Sequence, residues 1–132
     1  MALLYEEITG KIIGAYYKVH NMLITRAGYS QENYIKALVI ELRQRGLKIR
    51  EQHFVHRNYQ GRSIGGDFID LLVNDKVVVE IKKCSRITKA HKAKCKTYLL
   101  DSGMAVGLIL RFGGEKPEFH RIYVHENDPE AR

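Results

Sequence analysis

Apolar residues recur every three to four positions from Tyr5 to Leu23, with Ile8, Ile12, Tyr16, Val19 and Leu23 on one stripe, which predicts a first helix. The segment Ile24 to Gly28 breaks it. Ser30 is placed to cap a second helix running to Arg45, with Tyr34, Ala37, Leu38 and Leu42 inward and Gly46 as terminator. From Leu47 the period shortens to two. Strands are predicted over Lys48–Val55, Gly66–Val73 and Lys76–Lys82, with Tyr59–Arg62 as a turn. A third helix over Thr88–Asp101 ends at Gly103. The short apolar run Ala105–Phe112 reads as a buried strand, and Phe119–Val124 as the last one. The order ααβββαββ predicts an α/β sandwich around a central mixed sheet. Residues 1–124 form one domain on this reading, and 125–132 a polar tail.

Composition agrees with one packed domain: 132 residues, of which 45% are hydrophobic. No apolar run reaches the roughly 18–20 residues of a membrane span, and the N-terminal segment lacks a signal-peptide pattern. A cytoplasmic protein is therefore expected, with Cys84 and Cys95 as free thiols, since two thiols without C-x-x-C spacing are a weak zinc signal. Nothing predicts a nucleotide cofactor. Net charge is +7, and its distribution matters more than its size. Residues 82–96 hold seven Lys and Arg and no acid, while the rest of the chain balances at 15 of each sign. Such a segment is either a solvated helix face or the footprint of a polyanion, and the second reading points to nucleic acid.

One apolar hairpin, Asp70 to Lys82, carries charges that need explaining. Glu80 and Lys82 are two apart and share a face of their strand. Asp70 joins them only if the connecting loop has an odd length, such as Asn74-Asp75-Lys76, or if either strand holds a bulge. A two-residue Asn74-Asp75 turn would put Asp70 opposite Val79 instead. Two carboxylates directly opposed repel each other, and a divalent cation relieves that repulsion. Mg²⁺ suits such oxygen ligands, here Asp70, Glu80 and the carbonyl of Ile81. Lys82 would position or deprotonate the attacking water and offset charge on the phosphorus centre, as phosphodiester hydrolysis requires. Asp67 is a rival to Asp70, but a solvated acid is expected at its place after Gly65-Gly66.

These residues resemble the PD-(D/E)XK nuclease superfamily. About Tyr5 to Val124 is similar to its GxxExxY branch, through Ile8–Gly14 with Val19-His20, Tyr34 with Ala37-Leu38 and Glu41-Leu42, Asp70–Val73, Val79–Lys82, and His91–Ala93 through Tyr98-Leu99 to Phe112-Gly113. The resemblance implies a restriction-endonuclease-like three-layer sandwich with a four- to five-stranded sheet. It also implies a Mg²⁺-dependent site at Asp70, Glu80 and Lys82, where Mn²⁺ would substitute. Archaeal-type Holliday junction resolvases are more distant relatives, and by analogy suggest a homodimer acting on branched DNA in repair or recombination.

Two positions depart from the pattern. The motif that names the branch aligns with Gly28 and Tyr34 but expects Glu at position 31, where this chain has Gln31, with Glu32 beside it. Adjacent helical positions point about 100° apart. Either a shifted helix brings Glu32 inward, or Gln31 contacts water of the metal's shell. Lys94 stands where relatives often carry Gln, and suits a phosphate. The expected function is a DNA nuclease with Asp70, Glu80, Lys82 and Gln31 or Glu32 in its centre, and Lys83, Arg86, Lys89, His91, Lys92, Lys94 and Lys96 along the nucleic acid. Its rivals are a nucleic-acid-binding module without catalysis and a partner subunit of a repair or defence system. Tyr16, Tyr17, Tyr34 and Tyr98 read as packing rather than stacking residues. His20 reads equally as a packed core residue or a neighbour of the site, and His53, His56, His120 and His125 show no ligand spacing.

Overall fold

The computed structural model describes residues 4–124; the expected polar tail, with His125, lies outside them. Eight elements follow the predicted order: α1 (Glu6–Leu23), α2 (Gln31–Gln44), β1 (Ile49–Tyr59), β2 (Arg62–Val73), β3 (Val77–Lys83), α3 (Lys89–Ser102), β4 (Val106–Phe112) and β5 (Glu118–Tyr123). The strands lie in one sheet in the order β1-β2-β3-β4-β5. Only β3 and β4 are parallel, because α3 connects them as a crossover, whereas tight turns make the other pairs antiparallel.

Alternation along the strands sorts the core into two layers. Leu71, Val73, Val77, Val79, Ile81, Val106, Leu108, Leu110 and Phe112 pack with Ile12, Tyr16, Val19, Tyr34, Leu38 and Leu42 of α1 and α2. On the other face, Val55, Ile69, Leu72 and Val78 pack with Tyr98 and Leu99 of α3. β4 is buried along its whole length, Arg111 included, as its apolar run over Val106–Leu110 requires. Among the described residues no helix is long and apolar enough to cross a membrane.

Two helices start with reciprocal capping boxes. Asn33 N–H donates to Ser30 Oγ at 3.1 Å and Ser30 N–H to Asn33 Oδ1 at 2.9 Å. In the second, His91 N–H donates to Thr88 Oγ1 at 3.2 Å and Thr88 N–H to His91 Nδ1 at 3.0 Å. α2 is closed by Gly46 at φ 81°, a conformation that a Cβ would strain.

Three of the four tyrosines pack as expected. Tyr34 stacks on Phe112 at 4.5 Å, Tyr98 is buried under β2, and Tyr16 is fully buried. Tyr17 departs, with 40% of its surface exposed and an edge-on contact with Phe119. The Tyr16 hydroxyl donates to the carbonyl of Arg111 and accepts from Glu118 N–H at 3.0 Å, joining α1 to β4 and β5. Tyr16→Phe strands both groups, so urea unfolding should show a loss of about 1–3 kcal/mol.

The main difference from expectation is the first hairpin. β1 and β2 extend four residues further toward their turn than their sequences suggest, to Tyr59 and Arg62. β2 pairs with β3 only over Leu71–Val73, so much of the hairpin projects as an arm beyond the central sheet. Gly66, where the sequence pattern starts the strand, lies within it. A Cβ there would come within 2.6 Å of the Phe54 ring, so glycine is what lets that ring lie against the strand.

Candidate active site

Register in the central hairpin decides the chemistry. Val73 pairs with Val77, Leu72 with Val78 and Leu71 with Val79, leaving the three-residue loop 74–76 and Asp70 next in line with Glu80. Asn74 and Asp75 both adopt left-handed conformations, φ 52° and 55°, which their short polar side chains tolerate, and Lys76 N–H closes the turn on Val73 O at 3.0 Å. The odd-length loop that the site requires is present.

Beyond Leu71 and Val79 the backbone ladder stops and the carboxylates take over. Asp70 Oδ2 accepts from Ile81 N–H at 2.8 Å, and Glu80 Oε1 accepts from Asp70 N–H at 3.3 Å. The chain turns over here. Ile69 and Leu72 share the α3-side cluster although they are three apart, which regular alternation forbids. Across from Asp70, the β1 ladder skips Gln52, whose φ of 50° is strained for a non-glycine residue. This local distortion lets β2 part from β3 and opens the space in which the two acids meet.

Glu80 is 5% exposed, and burial raises its pKa to about 8, helped by the charge and hydrogen bonding of Asp70; the Lys82 ammonium pulls the other way. Lys82 forms no ion pair among the described residues. A crowded pair of carboxylates that retains a proton is a donor set matched to a hard divalent cation, which removes the repulsion and displaces that proton. Among the described residues there is no group of three His, Cys, Asp or Glu around which a metal fits, so a cation here would rely on these two side chains, backbone and water.

Glu80 and Lys82 share a face, as predicted, and line a hollow with His91, Lys94, Cys95 and Tyr98 of α3. Its volume of about 10 Å³ is water-sized, so a phosphodiester must approach from outside. The capping box turns His91 toward one role: Nδ1 accepts the Thr88 N–H, which places the ring proton of the neutral form on Nε2. Asp67, the rival acid, is engaged elsewhere. It accepts from the Tyr98 hydroxyl at 2.9 Å and lies 3.5 Å from Lys94 Nζ and 3.7 Å from Arg57. The Tyr98 hydroxyl first, then the Phe68 N–H and the Lys94 ammonium, hold its carboxyl below the ordinary range. Burial pushes the Cys95 thiol up to about 12, leaving it unreactive. The part played by Tyr98 and Cys95 was open to inspection of spacing alone, since 91, 94, 95 and 98 form one helical face.

The other candidates divide into separate places. Gln31 opens α2, and its Oε1 accepts the Lys83 N–H at 3.0 Å, tying the helix to the end of β3. Glu32 is exposed. Lys83 borders a recess of about 290 Å³ with His20, Arg26, Tyr29, Tyr34 and Gly113. This larger recess lies away from Asp70 and Glu80, which are absent from its lining. Within it, His20 is buried, its Nε2 3.1 Å from the Glu115 carbonyl. Arg86, Lys89 and Lys92 border another recess of about 320 Å³ at the start of α3. Lys96 is half-buried further along that helix.

Comparison with known proteins bears on the same hairpin. A solved alkaline exonuclease from Laribacter hongkongensis superposes with a TM-score of 0.50 over 92% of this chain and 83% of its own, at 15% identity, a likeness of fold. No curated protein matches in sequence. The profile of the PD-(D/E)XK nuclease superfamily matches residues 6–122, from the start of α1 nearly to the end of β5. With its ααβββαββ order, mixed five-stranded sheet and hairpin of opposed acids, the chain belongs to the PD-(D/E)XK nuclease superfamily.

Proposed function

We propose that the protein is a divalent-metal-dependent nuclease that hydrolyses DNA phosphodiester bonds at Asp70, Glu80 and Lys82. The observation that carries this reading is the meeting of the Asp70 and Glu80 carboxyl groups where the β2–β3 ladder ends, with Lys82 on the same face. Members of the superfamily generally use divalent ions. Mg²⁺, or Mn²⁺ in its place, held by Asp70, Glu80 and the Ile81 carbonyl would supply Lewis-acid stabilisation of charge on the phosphate. The Lys82 ammonium orients the attacking water and offsets negative charge building on the phosphate oxygens. His91 Nε2–H and Lys94 line the same hollow and donate toward the phosphate or the departing oxygen. Gln31 sets the end of β3 through the Lys83 N–H, and so supports Lys82 from the adjacent residue.

Contacts from Lys83, Arg86, Lys89, Lys92 and Lys96 would fall on backbone phosphates, which carry no base information, so selectivity follows DNA shape. A homodimer would present two such sites to a branched substrate. One observation favours a second reading, a binding module without catalysis: Gln31 takes the place of the motif's acid and its oxygen is already committed to Lys83.

The test is cleavage of labelled four-way junction, flap, linear duplex and single-stranded DNA with Mg²⁺, Mn²⁺ or EDTA. Metal-dependent products support the nuclease, and the preferred substrate gives its class. Tight binding without products in either metal sinks the enzyme and leaves the binding module. In both cases affinity should fall steeply with salt, with a log–log slope of about −0.9 per phosphate contacted on duplex DNA.

A further inference from the structure

The projecting β1–β2 arm carries rings that no core uses. Phe54 and Phe68 are cross-strand partners, 38% and 53% exposed, in edge-on contact at 5.0 Å, and Phe54 meets His56 in the same way at 4.8 Å. They alternate with Val55 and Ile69, which pack toward α3, so the rings occupy the opposite face of the arm. Gly66 completes the arrangement, because any side chain there would collide with Phe54. Tyr59 and Ile64 are exposed further along the arm.

The charge around these rings selects their partner. Residues 53–68 contain Arg57, Arg62, His53 and His56 against one acid, Asp67, which is held by Tyr98, Lys94 and, at 3.7 Å, Arg57 itself. Arg62 forms no ion pair among the described residues. Exposed flat rings beside cations suit a polyanion that also offers aromatic faces. Nucleic acid does so where its bases are unpaired, since a continuous duplex keeps base faces within its own stack. Phe68 lies two residues from Asp70, about 7 Å along an extended strand, on the face of the sheet opposite the α3-side hollow of Glu80 and Lys82, and β2 and β3 part between the two.

We infer that Phe54 and Phe68 form a base-stacking platform that holds unpaired nucleotides across the parted β2–β3 ladder from the Glu80–Lys82 hollow, making single-stranded or frayed ends the preferred substrate class. This deepens the nuclease reading and rests on it for the position of the scissile bond. It predicts that the arm contacts bases while the segment from Lys82 to Lys96 contacts phosphates.

Binding can be tested without cleavage, in EDTA. The chain has no tryptophan, so Phe68→Trp provides a single reporter. Its fluorescence should be quenched by a single-stranded oligonucleotide and unaffected by an abasic one of equal length and charge. The Phe54→Ala/Phe68→Ala variant, with its fold checked by circular dichroism, should lose at least about 10-fold in affinity for single strands while blunt duplex binding changes little. Equal losses on both DNAs, or none, overturn the platform while leaving the nuclease reading standing. Quenching that depends on protein concentration without DNA would instead assign the rings to a second copy of the chain, and also overturns it. Absence of any DNA binding at low salt removes both readings.

Discussion

Asp70→Asn should reduce metal-dependent cleavage by about 10²–10³-fold or more with little change in DNA affinity, the scale expected when a charge-stabilising group is removed from a transition state. Asparagine retains an oxygen to accept the Ile81 N–H, so the junction of β2 and β3 keeps its geometry while one unit of charge leaves. Lys82→Ala should produce a loss of similar size, because Lys82 is the one cation on the Glu80 face of β3 itself. Single-turnover kinetics at saturating enzyme separates this from binding. A loss confined to affinity would reassign these residues to substrate capture and leave the reaction without a centre.

Without metal, the protein should become less stable as pH rises through neutrality, which is opposite to the behaviour of most carboxylates. The Glu80 pKa stands near 8 in the folded chain against an ordinary 4.5, so between those values the folded state holds a proton that the unfolded state has released. This contribution is complete below about pH 4.5, declines with rising pH and is gone above about pH 8, a span on the order of 3–5 kcal/mol. Glu80→Gln should flatten the decline. Asp70→Asn should shrink it, since the neighbouring charge is one of its causes. Added Mg²⁺ or Mn²⁺ should restore stability on the alkaline side, where its carboxylate ligands are ionised. Urea midpoints in EDTA from about pH 5 to 9 provide the measurement. A flat wild-type profile would show that Glu80 is ionised throughout and that the acids are not forced together.

Much of the fold was legible because its signals are local. Ser30, Gly46, Thr88 and Gly103 mark helix ends through caps that depend on a few residues. The buried run 106–112 could only be an inner strand once its length was weighed against a helix. The hairpin was less determined, since sequence allowed both an even and an odd loop. The pairing of Val73 with Val77 settles that question in backbone geometry, which no hydrophobic pattern records. The arm escaped detection for a different reason. Strand prediction relies on one face being apolar, and the ends it missed, 56–59 and 62–65, are exposed on both faces. The hold of Tyr98 and Lys94 on Asp67 joins residues about thirty positions apart, and such contacts follow from the fold rather than from spacing.

The three-residue turn at 74–76 also bears on how this chain can change over evolutionary time. Exposed turns usually absorb insertions and deletions freely. Here an inserted residue is tolerated only if the loop itself lengthens with Val73 still opposite Val77, because a turn that kept its length would swap the two faces of β3, sending Glu80 and Lys82 into the α1–α2 core and Val79 and Ile81 out of it. Viable descendants should therefore vary this surface turn only in ways that hold the pairing of Val73 with Val77, so that a feature with no chemical role of its own is inherited together with the acids it aligns.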